Sequence, residues 1–292
     1  MTKQLSIIIP VYNEGEIVNQ VIEDLKKELI KIPDLEYEII AINDASTDKT
    51  GDVLKEISGI QVINHPHNRG YGASLKTGFR KSKNDLILII DADDTYPSES
   101  ISDLLKNIDD YDMVVGARVG KNAKIPIIRK PAKWILNKLA NYLTGTKIPD
   151  LNSGLRIMKK SLIEKFILFL PDGFSFTTTI TLAALTNNYQ IKYVPINYSK
   201  RIGRSKFRPI RDTLNFLQLI IRTILYFNPL KVFMPFSIIL FLLAVIIFLW
   251  SYFFGPKVLD ITIAMFILSS IQMLSIGMLA DLLIKSHKQS CN

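Results

Sequence analysis

Two aspartates, Asp91 and Asp93, follow the apolar run LILII and are suited to holding a divalent metal ion. They belong to the motif DADDTYP, which places three carboxylates within four residues of a chain with a formal net charge of +9. A buried carboxylate is costly unless it is paired or bound to metal. Mg²⁺ and Mn²⁺ typically take one or two carboxylates together with phosphate oxygens of a substrate. The motif therefore predicts a metal–diphosphate site, with a structural acidic turn as the alternative and Asp94 as a helix-entry residue.

Other common metal and nucleotide motifs do not fit this chain. A calcium loop that starts at Asp91 would need a glycine where Tyr96 stands and a glutamate where Ser102 stands. The glycine-rich stretch NRGYGASLKTGF has Leu75 at the third glycine position of the dinucleotide fingerprint. His65 and His67 have no cysteine or third ligand nearby in sequence, which disfavours zinc.

Short β-branched runs alternate with helical patterns in the first two hundred residues. The predicted strands are 5–12, 37–44, 60–66, 86–93 and 112–118, and the predicted helices are 16–31, 48–57, 73–81 and 98–108. Near-continuous Ile, Leu and Val strands separated by helices predict an α/β, Rossmann-like parallel sheet that is covered on both faces.

Polar clusters follow each predicted strand. In chain order they are NEGE, NDAS, NRGYG, DADDTYP and GAR. Ligands of open α/β sheets bind at the C-terminal ends of the strands, so these clusters are expected to form one site. Because side chains alternate along a strand, Asp91 and Asp93 are expected to point to the same side of an extended strand end.

The C-terminal third of the chain is patterned for a membrane. Residues 232–254 and 261–280 carry no charged side chain. At about 1.5 Å per residue, each stretch is long enough to cross a bilayer core of roughly 30 Å. The short connection between them predicts an antiparallel hairpin. Lysine and arginine are concentrated before and after the hairpin, which predicts that both termini lie in the cytoplasm.

Two basic segments resemble helices that lie at a membrane surface. Residues 208–228 and 129–143 space Lys, Arg and Asn at helical intervals against Leu, Ile and Trp. Basic residues next to membrane spans favour anionic lipid headgroups over nucleic acid as the partner. The single cysteine, Cys291, excludes an internal disulfide and is compatible with a reducing cytoplasm.

With these motifs in view, the sequence resembles the family 2 glycosyltransferases, in particular the polyprenyl-phosphate branch that includes dolichol-phosphate mannose synthase. The resemblance covers roughly residues 5–210 and rests on the motifs SIIIPVYNEGE, AINDASTDKT, NRGYGASLKTGF, IIDADDTYP, GAR, DLNSGLR and RIGRSK. It implies a GT-A catalytic domain that uses a nucleotide sugar and Mg²⁺ or Mn²⁺, followed by a C-terminal two-helix transmembrane hairpin.

The resemblance also implies roles for individual residues. Asp91 and Asp93 would hold the metal and, with Arg118, form the catalytic set. The implied donor-nucleotide residues are Pro10, Tyr12, Glu14, Asp44, Gly70, Asp91 and Ala92. The implied acceptor and phosphate residues are Arg118, Arg129, Ser153, Arg201 and Lys206. Mannose synthases commonly have Gln where this chain has Thr95, so the resemblance leaves the donor open between GDP-mannose and UDP-glucose or UDP-HexNAc.

The expected organisation is a GT-A domain at 1–207, an interfacial helix at 208–228, a hairpin at 229–284 and a cytoplasmic tail at 285–292. The expected reaction is inverting transfer of one sugar from a nucleotide diphosphate sugar to a polyprenyl monophosphate at the cytosolic membrane face. A phosphate monoester is mostly dianionic at neutral pH and needs no general base. Three alternatives remain: transfer to a hydroxyl with Asp94 or Asp150 as base, a metal-dependent nucleotidyltransferase, and a non-enzymatic membrane adaptor.

Overall fold

The structure is a computed structural model that describes residues 2–119, 138–142, 144–198, 218, 221–222, 225–226, 228–255 and 260–290. The chain divides into two compact units, Met1–Phe216 and Leu217–Asn292. The first unit is an α/β domain, and the second contains two long apolar helices.

The first unit is built on a seven-stranded sheet of order β3-β2-β1-β4-β6-β5-β7. The strands are β1 (Lys3–Val11), β2 (Leu35–Asn43), β3 (Gln61–Asn64), β4 (Leu86–Ile89), β5 (Met113–Ala117), β6 (Arg156–Lys159) and β7 (Ile191–Pro195). Strand β6 runs antiparallel to both of its neighbours, and the other pairs are parallel. The predicted parallel sheet is therefore a mixed sheet, because the antiparallel strand β6 lies between β4 and β5. The sequence did not indicate β6, because this strand has only four residues and charged ends.

Six α-helices whose bounds are fully described accompany the sheet, and residues 138–142 are also helical. The six helices are α1 (Val18–Ile30), α2 (Thr50–Glu56), α3 (Tyr71–Lys81), α4 (Ile101–Asn107), α5 (Lys160–Phe166) and α6 (Phe176–Thr186). A single 3₁₀ turn, Ser98–Ser100, precedes α4. The four predicted helices are present with bounds shifted by a few residues. The sequence reading did not include α5 and α6.

The inner strand β1 carries the buried apolar run Ile7–Ile9 because both faces of the sheet are covered. Leu5, Ile7 and Ile9 pack into a core cluster that also contains buried residues of α1 and α4. Ile8 points to the opposite face, where a Cβ atom at Gly78 of α3 would lie 2.5 Å from its Cγ2 atom. Glycine at position 78 therefore lets α3 approach the sheet closely.

The second unit contains α7 (Leu230–Phe254) and α8 (Asp260–Ser290). Each has a segment long and apolar enough to cross a membrane, with mean hydropathies of 3.0 and 2.0, and these segments cover the predicted spans. The Ser237 and Ser270 hydroxyls each donate to the other residue's backbone carbonyl, over 2.9 and 3.0 Å. Gly277 packs closely on Phe233. Small residues and hydroxyl bonds of this kind hold helices together where apolar burial gives no net driving force.

Candidate active site

The C-terminal end of the sheet collects the chemically interesting side chains of the first unit. Strands β1, β2, β3, β4 and β5 end there, and the antiparallel strand β6 begins there, since Arg156 is registered with Ile89. The loop that leads into β6 therefore joins the five loops that leave strands β1 to β5. Because β6 is antiparallel, the loop that precedes it lies at the same end of the sheet as the loops that follow the parallel strands. The motif DLNSGLR therefore belongs to the same site.

The acidic turn, residues 91–95, lies just beyond β4. The strand ends at Ile89, so the expectation that Asp91 and Asp93 lie on an extended strand end was wrong. Hydroxyl donors orient both carboxylates instead. The Tyr71 phenol donates to Asp91 Oδ1 over 2.9 Å, and the Thr95 hydroxyl donates to Asp93 Oδ1 over 2.5 Å. The backbone at Asp94 has φ = 56°, which turns the chain sharply between these carboxylates and the buried Thr95.

Burial and the charge of Asp91 raise the pKa of Tyr71 well above its ordinary value. The phenol therefore keeps its proton and acts as a hydrogen-bond donor to Asp91. Burial, followed by the charges of Asp24 and Asp93, also raises the pKa of Asp94.

Gly154 fixes the position of the Asp91 carboxylate from the other side. A Cβ atom at this position would lie 2.3 Å from Asp91 Oδ2, so only glycine allows this close approach. The Gly154 N–H donates to the Tyr96 hydroxyl oxygen over 2.6 Å, which ties the β6 entry loop to the acidic turn. The glycine of DLNSGLR was the sequence signal for this contact.

The donor set of the acidic turn fits a hard divalent cation that is shared with a substrate. Asp91 and Asp93 supply carboxylate oxygens, which are the ligands that Mg²⁺ and Mn²⁺ prefer. Within the described ranges, no group of three or more His, Cys, Asp or Glu side chains is arranged to hold a metal. Two carboxylates match a metal that completes its coordination with diphosphate oxygens and water.

Asp44 follows β2 and is buried, with its carboxylate engaged by the next loop. The backbone N–H groups of Arg69 and Gly70 donate to its two oxygens over 2.9 and 2.8 Å. His65 Nδ1 lies 2.7 Å from Asp44 Oδ1, and the His65 Nε2 atom lies 2.9 Å from the Thr77 hydroxyl. In this arrangement Asp44 holds the 65–70 loop in place, a role that sequence reasoning did not foresee.

The loops after β1 and β2 are also joined to each other. The Asn13 N–H donates to the Ser46 hydroxyl over 3.0 Å, and Asn13 Oδ1 accepts the Thr47 N–H over 2.8 Å. Asn13 adopts φ = 56°, a left-handed conformation that asparagine tolerates. Pro10 lies within β1, Glu14 begins the entry to α1, and Tyr12 leaves 40% of its surface exposed. These three positions thus border the same end of the sheet as Asp44.

The arginine corner consists of Arg118 and Asp150. Arg118 Nε and Nη2 donate to the two oxygens of Asp150 over 2.7 and 2.9 Å, and the Arg118 N–H adds a third bond over 3.0 Å. Burial by itself would raise the pKa of Asp150, but the bonds and charge of Arg118 outweigh it and lower that pKa. The Arg118 guanidinium also lies 5.2 Å from the centre of the Tyr198 ring.

Ser153 and Arg156 lie beneath the site and are fully buried. The Ser153 hydroxyl donates to the Gly116 carbonyl over 2.5 Å, so any acceptor-binding role of Ser153 acts through the position of its loop. The Arg156 guanidinium donates to the Ser153 and Thr177 carbonyls and to the Thr181 hydroxyl. Burial lowers the pKa of Arg156. The sequence reading did not single out Arg156.

Three of the predicted phosphate-binding residues, Arg129, Arg201 and Lys206, lie outside the described residues. Most of the two predicted interfacial helices also lies outside them, although residues 138–142 are helical. Ala92 is buried within the acidic turn, and Gly70 adopts φ = 99° at the entry to α3. The structure therefore brings Asp91, Ala92, Asp93, Asp44 and Gly70 to one end of the sheet.

Residues 6–167 match the sequence profile described as Glycosyl transferase family 2. The chain belongs to glycosyl transferase family 2. Residues 228–284 match a second profile, the GtrB C-terminal hairpin, which coincides with α7 and most of α8. The chain is thus a glycosyltransferase whose apolar hairpin indicates a membrane anchor.

Relatives within the glycosyltransferases include enzymes that act on polyprenyl phosphates. The chain is 28% identical over 207 residues to a dolichyl-phosphate hexose transferase of Haloferax volcanii, covering 70% of this chain and 87% of that one. It is 30% identical over 222 residues to an undecaprenyl-phosphate 4-deoxy-4-formamido-L-arabinose transferase of Klebsiella pneumoniae, covering 72% of this chain and 64% of that one.

Solved structures support the GT-A fold of this family 2 member. Glucosyl-3-phosphoglycerate synthase from Mycobacterium tuberculosis, in complex with Mn²⁺, UDP and phosphoglyceric acid, superposes with a TM-score of 0.59. The two sequences are 18% identical, and the match covers 76% of this chain and 78% of the synthase. At this identity the likeness concerns the fold alone.

Proposed function

We propose that this glycosyltransferase moves one sugar from a nucleotide diphosphate sugar to a polyprenyl monophosphate at the cytosolic face of a membrane. The observation that supports it most directly is the placement of the acidic turn and the arginine corner at one end of one sheet. The named activities of the two relatives and the matched hairpin support the lipid acceptor.

On the donor side, Asp91 and Asp93 would hold Mg²⁺ or Mn²⁺ against the donor diphosphate. A bound divalent ion neutralises charge that develops on a leaving diphosphate. Tyr71 and Thr95 orient the two carboxylates, and Gly154 sets the distance between Asp91 and the β6 entry loop. The nucleotide pocket would be lined by Pro10, Tyr12, Glu14 and the 65–70 loop that Asp44 holds in place.

On the acceptor side, the substrate chemistry removes the need for a base. The attacking phosphate is already mostly dianionic at neutral pH. Arg118 would contact that phosphate, with Arg129, Arg201, Lys206 and the Ser153 loop contributing. In-line attack by a phosphate oxygen on the anomeric carbon breaks the bond to the donor diphosphate and inverts the configuration. Bringing two anionic substrates together in this geometry is the main task of the basic groups.

The ion pair with Arg118 argues against Asp150 as the general base that a hydroxyl acceptor would need. A general base works best when its pKa lies near the operating pH. Arg118 occupies both oxygens of Asp150 and lowers its pKa, which makes Asp150 a weak base.

The deciding experiment offers the purified full-length protein radiolabelled GDP- and UDP-sugars with polyprenyl phosphate and Mg²⁺ or Mn²⁺, followed by lipid extraction. The expected product is a labelled lipid that mild acid hydrolyses, together with a released nucleoside diphosphate. An acid-stable glycolipid would indicate a hydroxyl acceptor. Release of sugar 1-phosphate, with the nucleotidyl group transferred to the lipid phosphate, would indicate a nucleotidyltransferase. No turnover with any donor would favour an adaptor.

A further inference from the structure

The loop between α5 and α6 exposes an unusual set of large apolar side chains. Leu168 and Phe174 are 88% and 86% exposed, and Phe169 is 41% exposed. We call these three residues the 168–174 patch. Isolated exposed apolar residues are ordinary, but a group of large ones on a soluble surface usually marks a contact site.

Several interactions hold this loop in place. The Asp172 carbonyl accepts the Ala73 N–H over 3.0 Å, and the Asp172 carboxylate pairs with Lys76 over 2.7 Å. Cβ atoms at Gly70 and Gly72 would lie 2.8 and 2.2 Å from the Asp172 and Pro171 carbonyl oxygens. Glycine at both positions therefore lets the loop pack directly on the start of α3.

One side chain separates the patch from the acidic turn. The Phe174 ring stacks on the Tyr71 ring, with centroids 5.8 Å apart and planes 17° apart. The Tyr71 hydroxyl in turn donates to Asp91. The patch is thus next to the carboxylate proposed to bind the metal, where the reacting phosphate must arrive.

The proposed acceptor carries apolar isoprene units directly behind its phosphate. When that phosphate is at the site, those first units must leave across the neighbouring surface. Exposed aliphatic side chains and phenyl rings gain free energy when methyl-branched hydrocarbon covers them. A nucleobase would instead be expected near Tyr12, which follows β1, and near the 65–70 loop, which follows β3 and is held by Asp44.

We propose that the 168–174 patch binds the isoprene units of the acceptor that lie nearest its phosphate. This inference rests on the proposed function. It assigns the patch a part in recognising the lipid chain, separate from anchoring the protein, which the hairpin can supply.

The kinetic test compares Leu168→Ser and Phe174→Ser with Ile30→Ser in the full-length protein. Ile30 ends α1 and is 75% exposed, which makes it a matched control outside the patch. The acceptor is a water-soluble phosphate with two isoprene units, so that binding does not require a bilayer. Each patch variant is expected to raise the KM for this acceptor about fivefold to tenfold, as for the loss of part of one apolar contact. The KM for nucleotide sugar should stay unchanged, and Ile30→Ser should match the wild type.

Three outcomes would overturn the inference. An unchanged KM for the acceptor in both patch variants would contradict the inference. An equal rise in the KM for nucleotide sugar would indicate that the patch contacts the donor instead. An effect seen only with long-chain lipid in vesicles would indicate bilayer contact instead. Leu168→Ser leaves the Phe174–Tyr71 stack intact, so it separates chain binding from displacement of Tyr71.

A second readout does not depend on turnover. A two-isoprene phosphate with a diazirine on its terminal unit should crosslink to residues 168–174, and excess unlabelled acceptor should suppress the crosslink. Crosslinks elsewhere in the chain would contradict the inference. If the wild type transfers sugar to polyprenyl phosphate and the patch variants behave normally, the inference fails and the proposed function stands. If the wild type transfers no sugar to any polyprenyl phosphate, the proposed function itself fails.

Discussion

The acidic turn and the arginine corner place carboxylates at the same end of the sheet but hold them by different means. At the arginine corner, a guanidinium neutralises Asp150 through two side-chain hydrogen bonds. In the acidic turn, the Tyr71 and Thr95 hydroxyls donate to Asp91 and Asp93, and a hydroxyl donor carries no formal charge. A carboxylate bonded to a guanidinium serves structure, whereas a carboxylate oriented by hydroxyl donors is suited to a cation that arrives with substrate.

The largest effect is expected when the charge of the acidic turn is removed. Asp91→Asn or Asp93→Asn should lower kcat at least about a thousandfold, because a catalytic metal contributes several kcal/mol of transition-state stabilisation. Initial rates over a range of Mn²⁺ concentrations measure this. Asp94→Asn is the matched control, since Asp94 is exposed and asparagine tolerates its positive φ. Near-normal turnover of both variants in excess EDTA would exclude a metal role.

At the arginine corner, the expected change is in substrate affinity. Arg118→Ala should raise the KM for polyprenyl phosphate about tenfold to a hundredfold, because a hydrogen bond to a charged group contributes about 1.5–3 kcal/mol. The KM for nucleotide sugar should change less. Asp150→Ala and the double variant complete a cycle that separates phosphate contact from the effect of leaving Asp150 unpaired. Recovery of the wild-type KM in the double variant would count against a direct contact.

Thr95 tests whether orientation matters in the acidic turn. Thr95→Val keeps the side-chain shape and removes the hydroxyl that donates to Asp93. Loss of such a supporting group typically costs about 10-fold to 100-fold in metal affinity or activity, and we expect the lower end. The half-saturating Mn²⁺ concentration should rise in Thr95→Val and return toward normal in Thr95→Ser. Equal behaviour of Val and Ser would show that packing, rather than the hydroxyl, is what matters at this position.

The smallest effect concerns stability in acid at the arginine corner. The pKa of Asp150 in the folded protein lies below its ordinary value of 3.8. Its contribution to stability is therefore complete well above that value and is lost as the pH falls through 3.8 toward the folded pKa. Asp150→Asn should remove this part of the acid dependence, worth about 2–4 °C in Tm if the pair contributes about 1 kcal/mol. Melting curves from pH 6 to 3 test this, with the exposed Asp52→Asn as control.

Local patterns in the sequence predicted much of this architecture. The apolar runs of β1, β2 and β4 and the two long hairpin helices stand out because burial on two faces, or in lipid, requires uninterrupted apolar residues. Strand β6 does not stand out. It has four residues, begins with Arg156 and ends with Lys159, and its pairing with β4 and β5 depends on contacts far apart in sequence.

The same limit applies to the site. DADDTYP and GAR marked Asp91, Asp93 and Arg118 because charged residues directly after apolar strands are conspicuous. The partners of these residues are not local: Tyr71 is 20 positions from Asp91, and Asp150 is 32 positions from Arg118. The burial of Asp44 and Ser153 likewise follows from tertiary hydrogen bonds that no short motif encodes.

The pairing of Arg118 with Asp150 also has an evolutionary consequence. These residues bracket the stretch 119–149, one just after β5 and the other ahead of β6. A connection whose two ends are joined can change in length at little entropic cost, since loop-closure entropy grows slowly with length. Chimeras that exchange residues 119–137 between relatives, while keeping the buried Ala140 and Ile148 and both members of the pair, should therefore retain the sheet and the acidic turn. The segment between the two paired residues can thus vary among relatives while the catalytic domain keeps its fold.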